Sequence, residues 1–297
     1  MLSLRQIRRR IKSVENTKKV THAMEMVSSS KLKRFQKMLG HSSQYVGELK
    51  RILSHVAEGL SGADHPILKK TAETKKILAV LIASDTGLCG SYNTNLFEKA
   101  RKFVGEKKDL ASVSFLAIGK HGERIANFLK QPVLKKYEVP RPQFIQDLTH
   151  DASAFVQNAF VQNEADEVYF IYTKAESLGS LYPVADRFLP LTEERKTPAV
   201  AAKHHEKNPV KYILEPNLKE ILETLIPEFI NAQIAAYFLN AMVSEQASRM
   251  MAMKQATENA KEVIDALTLQ RNKARQAQIT KEIIEVVSGS RALKGQE

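Results

Sequence analysis

The chain has 297 residues, of which 43% are apolar and 26% are charged, so it can form a sizeable core and wholesale disorder is excluded. Its one cysteine, Cys89, excludes an internal disulfide and a cysteine zinc cluster, which fits a reducing compartment. The longest uncharged stretch of the C-terminal third, residues 229–244, is shorter than the roughly 20 residues that cross a bilayer, so no transmembrane helix is expected.

The net charge of +12 lies mainly in the N-terminal segment. Residues 1–40 contain 11 lysines and arginines but only two acids, Glu15 and Glu25. A segment this basic should meet an acidic partner, which is a protein surface, a nucleic acid or lipid headgroups. The helical pattern already begins at Leu4, so no removable leader is expected.

The first predicted element is a helix over about residues 4–57. Its apolar side chains recur at spacings of three and four residues, and no proline occurs before Pro66. A helix of that length reaches roughly 80 Å, which is too long to bury within a domain of this size. Its apolar stripe consists of Leu4, Ile7, Ile11, Val14, Val20, Met24 and Val27.

The middle of the chain, residues 76–214, alternates predicted strands and helices. Such alternation implies a layered, Rossmann-like α/β domain with a largely parallel sheet. A polar loop is expected over residues 195–209. The strands are predicted at 77–83, 112–118, 168–172 and 212–214, and the helices at 93–108, 120–130 and 151–163.

The C-terminal part is predicted to be a second long helix that carries a coiled-coil seam. The seam decays beyond Val243, while no proline or glycine interrupts the chain from there to Gly289. The two terminal helices should therefore wind around each other, antiparallel, and the longer C-terminal one should continue past its partner as a single helix. The eight leading seam positions are Leu218, Leu222, Leu225, Phe229, Ala232, Ala236, Leu239 and Val243.

The predicted fold class is thus α/β with a long antiparallel coiled coil, in which a Rossmann-like domain is inserted between paired N- and C-terminal helices. The predicted domain boundaries follow from these elements. They are 1–60 for the N-terminal helix, 61–75 for a linker, 76–214 for the α/β domain and 215–290 for the C-terminal helix with its single-helix tip.

The turn after the first strand, residues 84–90, lies where open α/β sheets bind ligands. It has neither the phosphate-loop pattern nor a G-x-G-x-x-G, so a tight structural turn is favoured over a nucleotide site. Cys89 as a nucleophile would need a base such as His121 or His150, and nothing in the sequence fixes either one nearby. For residues 204–206 (HHE), a solvated loop is favoured over a metal site. No catalytic residue, cofactor or metal is predicted.

Three separate motifs resemble one family. Residues 10–27 (RIKSVENTKKVTHAMEMV) look like the N-terminal helix of the ATP synthase gamma subunit, and residues 84–93 (SDTGLCGSYN) are similar to that family's first strand–turn motif. Residues 245–259 (EQASRMMAMKQATEN), followed by 267–269 (LTL), 272–280 (NKARQAQIT), Glu282 and 286–289 (VVSG), look like its C-terminal signature. Because Cys89 alone cannot form the thiol switch of the chloroplast form, the chain resembles a bacterial member.

The resemblance implies a central-stalk rotor subunit of F-type ATP synthase that has no cofactor and performs no bond chemistry. It implies three alpha and three beta subunits around the end of the C-terminal helix, an epsilon subunit, and a membrane c-ring. Torque would pass between the ion-driven membrane rotor and the nucleotide sites of the ring. The protein would be peripheral, on the cytoplasmic side of the bacterial inner membrane, and would meet the membrane only through the complex.

The resemblance also implies which residues meet the alpha–beta ring. Cationic side chains should contact acidic loops, Met24 should face a beta-subunit loop, and the tip of the C-terminal helix should lie in an apolar collar. The cationic contacts are Arg9, Lys12, Lys31, Arg249 and Lys254, and the contacts near the tip are Gln276, Ile279, Thr280, Glu282, Val286 and Leu293.

Two other functions stay open on the residues alone. A basic coiled-coil adaptor that binds nucleic acid would use the N-terminal charges, although residues 1–34 have no interleaved aromatic side chains and no known docking motif. A small α/β enzyme with helical arms is the other alternative, and it lacks a defensible catalytic group.

Overall fold

The computed structural model describes residues 3–58, 74–140, 142–177, 179–191 and 218–294. Most of the predicted linker, the predicted strand at 212–214 and the HHE tract lie outside these ranges. The helices are α1 (Leu4–Glu58), α2 (Tyr92–Lys107), α3 (Lys120–Phe128), α4 (Ile145–Val161) and α5 (Leu218–Lys294), with a short 3-10 turn at Pro142–Phe144. The strands are β1 (Lys76–Ile82), β2 (Ser112–Ile118), β3 (Val133–Tyr137), β4 (Glu167–Ala175) and β5 (Leu181–Leu189).

The five strands form one sheet in the order β3-β2-β1-β4-β5. The first four are parallel and β5 runs antiparallel to β4, so the predicted, largely parallel sheet is confirmed. The central strand β1 is buried over six consecutive residues, because helices cover both faces of the sheet.

Side chains of β1 alternate between two cores. Ile77, Ala79 and Leu81 pack in the core that contains α2 and α3. Leu78 and Val80, which point to the opposite face, pack in the core that contains α4 and part of α5. The continuous apolar run that predicted β1 is thus explained by burial on both faces rather than by a single buried face.

The sequence pattern does not predict the two edge strands. β3 contains Lys135 and Lys136 and is largely exposed, so it lacks the apolar run by which a buried strand is recognised. β5 contains Pro183, Asp186 and Arg187, and its proline is tolerated because edge strands need not donate every N–H group. Helix α4 also begins earlier than predicted, at Ile145 instead of near residue 151.

The chain divides into two compact units, one formed by residues 1–29 with 249–297 and the other by residues 30–248. The terminal helices pair within each unit. In the first unit Ile7 and Ile11 share a core with Leu267, whereas Thr21 meets Thr257 through a hydrogen bond of 2.8 Å between their hydroxyl oxygens. Residue numbers rise along α1 as they fall along α5, so the pairing is antiparallel, as predicted.

In the second unit, the hydroxyl of Tyr45 on α1 donates to Glu228 Oε1 on α5 at 2.9 Å. Leu49 is buried in the same core as Leu222 and Ile226. Pro227 lies inside α5, where its ring removes one backbone N–H donor from the helix. The buried neighbours Ile226 and Phe229 stabilise this part of the helix through packing instead. Among the described residues, none of the helices combines the length with the apolar composition that a membrane span requires.

Candidate partner-binding surfaces

The C-terminal part of α5 loses its partner within the unit that contains residues 1–29. Seam residues are buried at Ala260 and Leu267 and half-buried at Ala274. From Arg275 to Gly289 every residue is exposed. Because α1 begins only at Leu4, the antiparallel pairing leaves no α1 residue opposite this end of α5, which we call the bare segment (residues 275–289).

The bare segment carries apolar side chains that water reaches. Val286 is 72% exposed and Ile284 is 58% exposed, which is unusual for β-branched residues that gain nothing from a solvated helix. Two contacts between their polar neighbours run along the helix, with Lys281 Nζ 3.6 Å from Glu285 Oε1 and Gln278 Nε2 3.0 Å from Glu282 Oε1. An exposed apolar surface of this kind is typical of a protein interface. Its apolar members are Ile279, Ile283, Ile284, Val286 and Val287.

Most of the residues implied by the family resemblance lie on accessible surface. Met24 is half-buried, and Leu293 lies in the last turn of α5, where only the backbone is described. Arg249 is the exception, because its side chain is only 7% exposed and has interactions within the chain. The exposed members are Arg9, Lys12, Lys31, Lys254, Gln276, Ile279, Thr280, Glu282 and Val286.

The turn after β1 is folded upon itself. The side-chain amide of Asn93 donates to Ser84 Oγ at 2.8 Å and approaches Cys89 Sγ at 3.3 Å. Leu88 and Gly90 adopt positive φ angles of 61° and 57°, which bend the chain back toward α2. These bonds satisfy the polar groups of the turn internally, so its geometry supports the structural interpretation over a ligand site.

Asp85 fastens this turn to two other segments. Its Oδ1 accepts from the backbone N–H of Lys120 at 2.9 Å, at the start of α3, and its Oδ2 accepts from the N–H of Val139 at 2.9 Å, just after β3. A carboxylate that receives two backbone donors bonds more strongly than a neutral acceptor. Asp85 therefore holds together the ends of three strands at one edge of the sheet.

Replacing this carboxylate should be costly. We expect Asp85→Ala to lower the free energy of unfolding by about 2–3 kcal/mol, because two backbone N–H groups lose a charged acceptor. Asp85→Asn keeps one acceptor oxygen and should lose about half as much. Urea unfolding of the two variants measures the difference, and equal stability of Asp85→Ala and the parent chain would contradict the role assigned to this side chain.

His121 lies beside the same turn and donates its backbone N–H to Ser84 O at 3.0 Å. Burial, with a smaller contribution from the charge of Arg124, lowers the pKa of the imidazole below its ordinary value of 6.5, while Asp85 opposes the shift. Cys89 is 2% exposed, so access to its thiol is closed to a substrate. The described residues contain no group of three His, Cys, Asp or Glu side chains that could hold a metal ion.

The lowered pKa of His121 predicts a pH dependence of stability. The unfolded chain binds the proton more readily than the folded chain, so the contribution of neutral His121 is complete above pH 6.5 and is lost as the pH falls toward the folded pKa. His121→Gln, which does not titrate, should flatten this part of the stability curve. Urea unfolding of the parent chain and of His121→Gln is measured at about pH 7 and about pH 5. An equal loss of unfolding free energy in both chains between these pH values would contradict the prediction.

Sequence reasoning missed a second buried face of α5, which packs on the sheet within the unit of residues 30–248. Ser244 and Phe238 on this face are wholly buried. The signal was present as a row of apolar residues at spacings of four and three, offset from the coiled-coil seam. That row consists of Ile226, Ile230, Ile234, Tyr237 and Ala241.

The fold and these surfaces define a class of protein in which an α/β domain is inserted between paired terminal helices, and one helix ends in a bare apolar segment suited to binding other chains. The sequence profile of the ATP synthase family matches residues 3–293. The chain is 36% identical to the ATP synthase gamma chain of Cytophaga hutchinsonii, with 99% of each chain covered. It is also 36% identical to the gamma chain of Geobacter metallireducens, over 99% of this chain and all of the other. The chain belongs to the ATP synthase gamma chain family.

Solved structures share the fold. The chain resembles a chain in the central stalk and c-ring structure of Tetrahymena thermophila mitochondrial ATP synthase, with a TM-score of 0.55 and 22% identity over 80% of this chain and 99% of that one. It also resembles a chain in the rotor of Euglena gracilis mitochondrial ATP synthase, with a TM-score of 0.58 and 16% identity over 93% and 98% of the two chains. The family profile and the two gamma chains confirm the predicted family, and the nucleic-acid alternative finds no support among these relatives.

Proposed function

We propose that this chain is the central-stalk rotor subunit of a bacterial F-type ATP synthase and couples ATP synthesis to proton transport. In this role it transmits torque between an ion-driven membrane rotor and the nucleotide sites of an alpha–beta ring. The observation that carries the proposal is full-length similarity to bacterial gamma chains, at 36% identity over 99% of the chain. The bare segment supports it, because an exposed apolar helix end needs a partner that covers it.

The physical task of such a subunit is to make identical sites unequal. A single asymmetric stalk cannot match three identical catalytic subunits in the same way at once, so it holds them in different states. It can shift their nucleotide affinities only through contacts that differ between those states. Moving one site from 1:99 to 99:1 takes about 5.5 kcal/mol, which rotation must deliver through these contacts. The coupling is reciprocal, so nucleotide occupancy also turns the stalk.

We assign these contacts to the bare segment, to Met24 and to exposed cations of α1 and α5. The bare segment would lie in an apolar collar of three alpha and three beta subunits, and Met24 would face a beta-subunit loop. Exposed cations along α1 and α5, of which Arg9, Lys31 and Lys254 are examples, would meet acidic loops. Each exposed ion pair contributes little alone, so their main effect is on orientation and association rate rather than on affinity.

The remaining partners and the location follow from the same assignment. We propose an epsilon subunit and a membrane c-ring as partners of the chain, which performs no bond chemistry itself. It would lie on the cytoplasmic side of the bacterial inner membrane as a peripheral component of the complex. Membrane association would be indirect, through the c-ring.

One experiment tests the proposal in the assembled complex. The chain is purified with its partners, and mass spectrometry identifies them. The alpha–beta ring is then fixed to a surface, and a bead is attached to the chain. Rotation of the bead on addition of ATP is the expected result. ATP turnover by the purified chain alone, or salt-dependent retention on DNA without co-purifying subunits, would contradict it.

A further inference from the structure

The α/β domain contacts α5 through two hydrogen bonds to backbone carbonyls and a cluster of aromatic rings, all within the unit of residues 30–248. We propose that this contact is the joint through which torque passes between the domain and the C-terminal helix. We call it the sheet–helix joint, formed by Tyr92, Thr173, Tyr237, Ala241 and Ser244. The inference rests on the proposed function and adds to it the residues that carry the load inside the chain.

The first bond runs from the helix to the sheet. Ser244 is completely buried, and its hydroxyl donates to the backbone oxygen of Thr173 on β4 at 2.8 Å. That carbonyl is free of competing strand partners. Pro183 lies opposite Thr173 on β5 and has no N–H, and the pairing of β4 with β1 ends at Ile171. The sheet thus leaves one acceptor open, and the helix occupies it.

The second bond runs in the opposite direction, from the domain to the helix. The hydroxyl of Tyr92, the first residue of α2, donates to the backbone oxygen of Ala241 at 3.4 Å. Tyr92 is 3% exposed, so water does not compete for this bond. Ala241 and Ser244 are three residues apart and lie on one face of α5. Two bonds on one face, with donors on opposite partners, restrict both sliding and rotation of the helix.

One turn before Ala241, the ring of Tyr237 is inserted among three aromatic rings of the sheet. It stacks on Phe170 with centroids 4.6 Å apart and planes at 26°, and its centroid lies 5.0 Å from that of Tyr172. Phe188 meets it edge-on at 5.9 Å. Three neighbours at three different angles hold the ring from several sides, because aromatic pairs favour particular offsets and tilts.

The sheet–helix joint differs from the rest of the helix packing because its interactions depend on direction. Apolar burial is non-directional, so an apolar seam resists separation of two helices more strongly than it resists a small rotation. Hydrogen bonds weaken steeply as the donor angle departs from linear, and stacked rings lose contact when they turn. A twisting load applied to α5 is therefore resisted at the sheet–helix joint. The same continuous helix leads from this joint to Lys294.

The test measures torsional stiffness in the assembled complex. The alpha–beta ring is fixed to a surface, and a bead is attached to the α/β domain through the thiol of Lys102→Cys. The Lys102 side chain is 74% exposed in the parent chain, whereas Cys89 is too buried to react with the bead. The angular variance of the bead is recorded during a catalytic pause. We expect Ser244→Ala and Tyr92→Phe together to raise this variance about twofold, because both directional bonds are lost.

Thr149→Ala is the matched control. Thr149 is also buried, at 6% exposure, and its hydroxyl donates to Ile145 O at 2.7 Å within its own helix, α4. The control loses a comparable hydrogen bond that does not connect the sheet with α5, so the bead variance should stay at the parent value.

The possible outcomes separate the joint from the proposed function. If the parent complex does not rotate on ATP, the proposed function fails. If it rotates and the double variant has the same variance as Thr149→Ala, only the joint is overturned. Tyr92→Phe removes a single oxygen and keeps the ring, so this single variant provides the measurement if the double variant fails to assemble.

Discussion

Gly119→Ala is expected to lower the free energy of unfolding of the α/β domain by roughly 4 kcal/mol, one of the largest losses that a single methyl group can cause. Gly119 has a φ angle of +83°, a conformation that a residue with a Cβ adopts only with strain. A Cβ at this position would lie 2.4 Å from the backbone oxygen of Ala83. Strain and collision therefore act together at this position.

Neither side of this collision can move cheaply. The Gly119 N–H donates to Tyr137 O at 2.8 Å, and its carbonyl accepts from Gly122 N at 2.9 Å. Ala83 is tied as well, because its N–H donates to Ile118 O at 2.9 Å. The ends of β1, β2 and β3 meet here backbone to backbone. Relief of the collision would break strand pairing in the centre of the sheet.

Gly105→Ala is the matched control, since Gly105 lies inside α2 and, apart from its chain neighbours and the adjacent backbone of its own helix, nothing lies within 4 Å of the added Cβ. It should raise the free energy of unfolding by about 1 kcal/mol, because alanine favours the helix over glycine. Guanidinium unfolding of both variants is the measurement. If Gly119→Ala and Gly105→Ala changed the free energy of unfolding in the same direction, the positive φ angle and the close contact at Gly119 would not explain the effect of its substitution.

Gly119 also illustrates which parts of the fold are visible in the sequence. Long periodic signals, such as the seam of α5 and the apolar runs of β1 and β2, predict their elements because many residues repeat the same constraint. The edge strands β3 and β5 are stabilised by neighbours distant in the chain, so their own residues carry a weak signal. The role of Gly119 depends on the approach of Ala83, which no local pattern records.

Of the candidate surfaces, too, some features are predictable from the sequence and others are not. The decay of the seam beyond Val243 predicts that α5 outlasts its partner helix, but not the boundary at Arg275, because seam residues are still buried at Ala260 and Leu267. The sheet-facing side of α5 was missed because that helix is buried on nearly all sides near Phe238, which blurs the periodicity of a single stripe. Resemblance placed Arg249 at an acidic loop, whereas the fold buries its side chain. Side-chain burial depends on packing partners that a motif does not specify.

Val286→Asp is expected to separate assembly from folding. Because Val286 is 72% exposed, the free energy of unfolding of the isolated chain should change by no more than about 0.5 kcal/mol. If the bare segment enters an apolar collar, the new carboxylate must lose its water there. Removal of the buried valine and burial of an unpaired charge should weaken binding to the alpha–beta ring roughly 100-fold, which is about 3 kcal/mol.

Leu110→Asp supplies the control, since Leu110 is 67% exposed in the α/β domain and also exchanges an apolar side chain for a carboxylate. It should leave both unfolding and ring binding unchanged. Calorimetric titration of the alpha–beta ring with each variant gives the affinities, and urea unfolding gives the stabilities. Equal ring affinity for Val286→Asp and Leu110→Asp would rule out an apolar collar. A stability loss confined to Val286→Asp would mean that Val286 is covered within the chain itself, in conflict with its exposure.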